Sequence, residues 1–205
     1  MNTAVMDYRQ RLLKALEQAL AEKPYRDVTL SDITAAAKVS RRTFYEHFSN
    51  KDECLLALSE QTCQGILTLI LASFSLDDVW EDVVTKVTMA YLTYINDHPD
   101  TMLALYTEVM TLGQAGMASR RKIAETFAEL LRSQTHIRQA RGEISRSIDS
   151  ATGLALVAGI NELILYRLLD KEKDDRPFQS LAPTAIGLVM RLTTDDDHQA
   201  DKKNA

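Results

Sequence analysis

The chain is poor in the residues that punctuate a backbone: its 205 residues include 7 glycines and 4 prolines. Turn-dense β architectures need more breaks than that, and neither Asn-Gly nor Asp-Gly occurs anywhere. Sustained alternation of apolar and polar residues is missing too. The two cysteines, Cys54 and Cys63, stand nine positions apart in one predicted helix. That is a rise of about 13 Å, beyond the reach of a disulfide, so two buried thiols are expected. The four histidines, His47, His98, His136 and His198, have no carboxylate or cysteine at metal-ligand spacing. A Gly-rich phosphate loop and a Gly-x-Ser-x-Gly turn are also lacking. The expectation is therefore no catalysis, no metal and no cofactor. Asp7, Arg9, Arg11 and Lys14 interrupt the N-terminus before a secretory signal could build. The longest apolar run, Gly65–Phe74, is too short to span a bilayer. These absences predict a cytoplasmic protein that makes no use of a membrane.

What is present points to helices. Hydrophobic residues make up 45% of the chain, enough for a true core. Leu12, Leu13, Leu16, Ala19 and Leu20 recur at helical steps over Asp7–Glu22, and Lys23-Pro24 stops the pattern. Thr29 followed three residues later by Asp32 reads as a capping box for a second helix, and Ser40 as the N-cap of a short third helix, Arg41–His47. Ser49 or Asn50 opens a longer helix. Further helices are predicted over Asp77–Asn96, Asp100–Leu112, Met117–Ala140, Ser147–Asp170 and Phe178–Leu192. His98-Pro99, Gly113/Gly116, Gly142 and Asp174–Pro177 supply the breaks. The fold class is all-α: a three-helix N-terminal domain with a helix-turn-helix outline over residues 1–50, a larger helical bundle over 51–193, and a disordered tail over 194–205.

Charge is divided unevenly along this plan. The net charge is −5, yet residues 1–51 carry nine Lys and Arg against six Asp and Glu, a net +3 that leaves −8 for the rest. A basic head on an acidic body suggests that the head alone meets a polyanion.

The short helix RRTFYEHF makes that suggestion specific. Phe44 and Phe48 are four apart and share one side, so they anchor the helix, while Arg41, Arg42, Thr43 and Tyr45 face outward. Arginine can pair with guanine O6 and N7, and threonine can touch a thymine methyl. Tyr45, His47 and Lys51 carry donors suited to phosphates. The caps Thr29 and Ser40 complete the candidate DNA contacts.

The segment TLSDITAAAKVSRRTFYEHFSNKDECLLAL resembles the DNA-binding signature of TetR-family transcriptional regulators. The shared features are the threonine-capped helix, the Val-Ser turn, the Thr-aromatic-Tyr helix and the Phe-x-x-Lys exit. Two positions depart from the family pattern. Lys38 stands where glycine is common, and a left-handed lysine there would cost about 1 kcal/mol. Pro24-Tyr25 replaces the usual Gly-aromatic.

The resemblance implies a regulator, in the commoner case a repressor, that binds a near-palindromic double-stranded operator as a homodimer and is released by a small molecule. Dimerisation would fall on the last two long helices, where small residues permit close approach: Ala151, Leu154, Ala155, Ala158 and Gly159, with Ala185, Leu188 and Val189. A hydrophobic or aromatic effector would lie among Tyr91, Tyr94, Met102, Tyr106, Met110 and Phe127, with Glu108, Asn161, Glu162 and Tyr166 as polar contacts, although core packing is the commoner use of such residues. Two other readings remain open on the residues: an α-helical protein-interaction module, and an architectural DNA binder without an effector.

Overall fold

The computed structural model describes residues 7–170 and 177–195. All regular structure among them is helical, in the order α1 (Tyr8–Glu22), α2 (Leu30–Ala37), α3 (Arg41–His47), α4 (Lys51–Ser73), α5 (Trp80–Asp97), α6 (Pro99–Thr111), α7 (Gly113–Ala140), α8 (Ser150–Leu169) and α9 (Ala182–Thr193). Single turns of 3₁₀ helix precede α2, at Tyr25–Asp27, and α9, at Phe178–Leu181. The chain forms two compact units. The first comprises Met1–Gln64 and His98–Arg121, the second Gly65–Asp97 and Lys122–Ala205. Helices α4 and α7 each contribute to both, so the sequence boundary at residue 50 does not coincide with the edge of either unit.

The local signals set most helix ends. Thr29 accepts from the Asp32 amide and Asp32 accepts from the Thr29 amide, closing the capping box of α2. Ser40 accepts from the Thr43 amide at 3.0 Å. At the start of α4, Asn50 Oδ1 accepts from the Glu53 amide at 2.8 Å while Glu53 reaches back to the Ser49 amide. Lys38 ends α2 with φ 54 and ψ 48, the left-handed conformation that the missing glycine would have occupied.

Several helix starts differ from expectation, each for a visible reason. Asp78 accepts from the Ser75 amide in a turn, which delays α5 to Trp80. Asp149, not Ser147, caps α8 by accepting from the Thr152 amide and hydroxyl. Gly113, at φ +63, supplies the break before α7, whereas Gly116 lies inside α7. A Cβ on Gly116 would stand 1.8 Å from the Val109 carbonyl oxygen, so this glycine serves a close approach to α6. The expected tail is ordered at its first residues: Arg146 donates to the Thr194 carbonyl and pairs with Asp195. Residues 196–205 lie outside the described residues, as does most of the expected break at Asp174–Pro177.

In the first unit, Leu12, Leu13 and Leu16 of α1 pack with Ile33 of α2, Phe44 and Phe48, and Leu55 and Leu58 of α4 in one buried cluster. Ala104 and Val109 of α6 extend it. Each large side chain here contributes about 1.5–3 kcal/mol of burial. In the second unit, Trp80 Nε1 donates to Thr193 Oγ1 at 2.9 Å, fastening α5 to the end of α9. Arg138 is 1% exposed and is held by Glu143 at 2.5 Å and by the carbonyls of Ser75 and Asp78. A buried guanidinium demands such pairing.

Helices Lys51–Ser73 and Ser150–Leu169 are by length and composition long enough and apolar enough to cross a membrane. Such segments also occur as core and interface helices of globular proteins, and Ile66 and Ile70 of the first are buried within the protein.

Candidate functional site

The helix-turn-helix is α2 and α3. Phe44 is fully buried and Phe48 is 3% exposed, their ring centres 5.7 Å apart, so the apolar side of α3 is fastened into the core. The opposite side is open. Arg41, Arg42 and Tyr45 are exposed, and Thr43 and His47 half-buried at its edges. Arg42 makes a single exposed pair with Glu46 at 3.3 Å. Such a pair is worth about 0–1 kcal/mol, so it yields readily to a stronger acceptor. Arg41 donates to Ser31 Oγ at 2.6 Å, which draws its guanidinium toward the first turn of α2, next to Thr29. Thr43 Oγ1 and Ser40 Oγ lie 2.9 Å apart in a hydrogen bond. Seven of the eight residues read from the sequence as DNA contacts are therefore gathered along the exposed edge of these two helices and their caps.

Lys51 is the exception. Its ammonium is turned inward, donating to the carbonyls of Tyr25 and Val28 at 2.8 Å each and lying 4.1 Å from the Tyr25 ring centre. Tyr25 in turn donates to Asp52 at 2.6 Å. Burial first, and then this bond to a carboxylate, push the Tyr25 hydroxyl well above the ordinary tyrosine range. Lys51 is thus a tether between the turn before α2 and the start of α4.

One residue of this frame has no local sequence signal. Arg11 of α1 donates to the carbonyls of Ala37 and Lys38, satisfying the C-terminal end of α2 at its left-handed residue. Its partners are 26 and 27 residues away, so only the tertiary fold could reveal it.

The second unit holds a partly open cavity of about 150 Å³ among α4, α5, α7, α8 and α9. Its walls are apolar side chains, among them Phe74, Trp80, Val84, Phe127, Leu130 and Val157, and the lining includes no charged residue. Tyr91, Phe127 and Asn161 line it, with Tyr91 donating to Asn161 Oδ1 at 2.7 Å. The other residues read as pocket candidates fall elsewhere. Met102, Tyr106, Glu108 and Met110 belong to α6, which begins at Pro99 and lies wholly in the first unit. Tyr94, Glu162 and Tyr166 are on α5 and α8 but outside the lining, and Tyr166 is exposed. The cavity residues Gln134 and Trp80 were not singled out as lining by sequence.

On α8, Ala151, Ala155, Ala158 and Gly159 form an exposed small-residue strip, with Leu154 half-buried beside it. Leu163, Tyr166 and Leu169, and Leu188 of α9, are large apolar residues left exposed on the same two helices. Ala185 and Val189 differ: both face the cavity, and Ala185 is buried within the chain.

Comparison with known proteins agrees with this arrangement. Residues 12–58 match the family model described as bacterial regulatory proteins, tetR family. The HTH-type transcriptional regulator YxbF of Bacillus subtilis is 31% identical over 96 residues, 46% of this chain and 25% of that protein. The transposon Tn10 TetC protein of Escherichia coli is 29% identical over 103 residues, 50% of this chain and 51% of its own. The match thus spans about half or less of the length of these curated relatives. Among solved structures, the fatty acid degradation regulator FadR of Bacillus halodurans superposes with a TM-score of 0.73 at 17% identity, over 88% of this chain and 93% of that one. FadR of Bacillus subtilis in complex with stearoyl-CoA gives the same score and identity over 88% and 97%. At this identity the likeness shows the fold, and the family resemblance rests on residues 12–58, which are similar to bacterial regulatory proteins of the tetR family.

Proposed function

We propose that the protein is a tetR-family transcriptional regulator that binds a near-palindromic operator as a homodimer in the cytoplasm, acts as a repressor, and leaves the operator when a small molecule fills the cavity of the second unit. The observation that carries DNA readout is the orientation of α3. Phe44 and Phe48 fix one side in the core, and Arg41, Arg42 and Tyr45 are left exposed on the other. Arginines at the first turn of such a helix are placed to reach base edges in the major groove. Thr29, Ser40, Thr43 and His47 along the same edge serve the backbone and set register. The exposed strip on α8 supports a two-fold contact between chains, and two heads related by that axis would read two half-sites. Release by a ligand follows from population shift: a molecule that binds better to one spacing of the heads depletes the other.

The test is selection of bound duplexes from a random-sequence pool, repeated with Arg41→Ala/Arg42→Ala at several salt concentrations. An enriched inverted repeat that the double variant fails to enrich supports the reading. Equal enrichment by the variant, or none by either protein, would leave α3 as scaffold and favour a protein-interaction module.

A further inference from the structure

The proposed effector cavity carries chemical information that its position alone does not. Every wall residue is uncharged, and the polar ones are few: Thr88, Tyr91, Gln134 and Asn161. Tyr91 and Asn161 are bonded to each other. Gln134 Oε1 is buried with no hydrogen-bond partner. A buried acceptor left without a donor is unusual in a native protein, and a group in this state gains most from a ligand that supplies the donor.

We infer that the cavity takes a compact, uncharged, largely apolar molecule, of single-ring size, bearing one hydroxyl or N–H that donates to Gln134. This rests on the reading of the cavity as the effector site and names the class of molecule that enters it. Volume sets the size: an apolar cavity of about 150 Å³ accommodates a benzene ring. Charge sets the exclusion. A carboxylate or phosphate entering here would surrender its hydration to walls that carry no cation, a cost that ordinary apolar contact does not offset. Gln134 sets the orientation. Its terminal amide turns on a soft torsion, so the oxygen can be presented to a ligand hydroxyl at little cost. The Phe127 ring, with its centre 5.7 Å from that of Tyr91, adds an aromatic wall against which a flat ring packs.

Three probes of nearly equal shape separate these statements: phenol, toluene and benzoate, titrated at neutral pH into the full-length protein and into Gln134→Met, with binding followed by ligand-observed NMR. Phenol and toluene are expected to bind and benzoate to bind at least about 100-fold more weakly. The ratio of phenol to toluene affinity is expected to fall about tenfold in Gln134→Met, because only phenol loses a bond. The inference is overturned if benzoate binds as well as phenol, if that ratio is unchanged in the variant, or if none of the three binds. Should Gln134→Met melt well below the parent, the ranking of the three probes on the parent protein decides alone. Operator release is read separately with the selected duplex. Phenol binding without release would leave the ligand class standing and remove the effector role. Release by an acidic molecule, with no binding of phenol or toluene, would do the reverse.

Discussion

Lys51 Nζ lies 4.1 Å from the centre of the Tyr25 ring and donates to the carbonyls of Tyr25 and Val28, so a lysine at the exit of the helix-turn-helix acts as an internal clamp. Its charge is spent on two carbonyls and a π face that would otherwise need water. Lys51→Ala is therefore expected to destabilise the protein by about 1–3 kcal/mol in denaturant unfolding. The salt dependence of operator binding should keep its slope in this variant. Arg42→Ala, by contrast, should reduce binding and flatten that slope by about one unit if Arg42 meets a phosphate, or relax the sequence preference if it meets a base. A Lys51→Ala protein of full stability with a flattened slope would return Lys51 to the phosphate backbone.

Lys38 holds φ 54 without the freedom of glycine, and its amide still bonds back to the Thr34 and Ala35 carbonyls. The strain of a Cβ in this conformation is about 1 kcal/mol. Lys38→Gly should thus raise stability by up to about 1 kcal/mol in urea unfolding, the greater entropy of an unfolded glycine removing part of the gain. A clear loss of stability would show that the lysine side chain makes compensating contacts that outweigh its backbone strain.

The contrast between these residues and their neighbours explains what was legible in the sequence. Thr29, Ser40 and Asn50 announce helix starts because a cap and its partner are three residues apart, and the bond is local. Phe44 and Phe48 announce a buried side because helical geometry alone aligns them. Nothing local marks Arg11, whose partners are 26 and 27 residues on, or pairs Tyr91 with Asn161 across 70 residues. The same limit explains the pocket. Met102, Tyr106 and Met110 have the composition of a lining, but composition does not say to which unit α6 belongs. Ala185 and Val189 illustrate the complementary error: small and branched residues suit a helix interface and a cavity wall equally well, and only their direction on α9 separates the two uses.

Ala158 and Gly159 are exposed on α8, and no atom outside their own helix lies within 4 Å of the place where a Cβ on Gly159 would stand. Close approach of a second α8 would occupy that space in the proposed homodimer. Ala158→Glu would bury an unpaired carboxylate there, which costs roughly 3–5 kcal/mol. The variant is expected to elute as a folded monomer in size-exclusion chromatography with light scattering, and to lose operator affinity with the second half-site. A stable dimer that retains the parent's affinity would place the contact on another face.

Asp32 joins two elements of the first unit through one carboxylate, accepting from Lys23 Nζ at 2.7 Å and from the amide and hydroxyl of Thr29. The Lys23 bond first, then those from Thr29, hold its carboxyl well below the usual aspartate range. A group whose folded pKa is depressed contributes stability that is fully present above its unfolded value, about pH 4, and is lost as pH falls toward the folded one. Asp32→Asn removes that contribution without removing the side chain's ability to accept at the cap. The parent should therefore lose stability more steeply than Asp32→Asn as pH is lowered from about 5 to 2.5, the two curves running parallel above about pH 5. Urea unfolding at a series of pH values measures the difference. Parallel curves throughout would mean that the Lys23–Asp32 contact persists in the unfolded chain or contributes nothing to the fold, and the acid sensitivity would then have to come from other depressed carboxylates such as Glu143 beside Arg138.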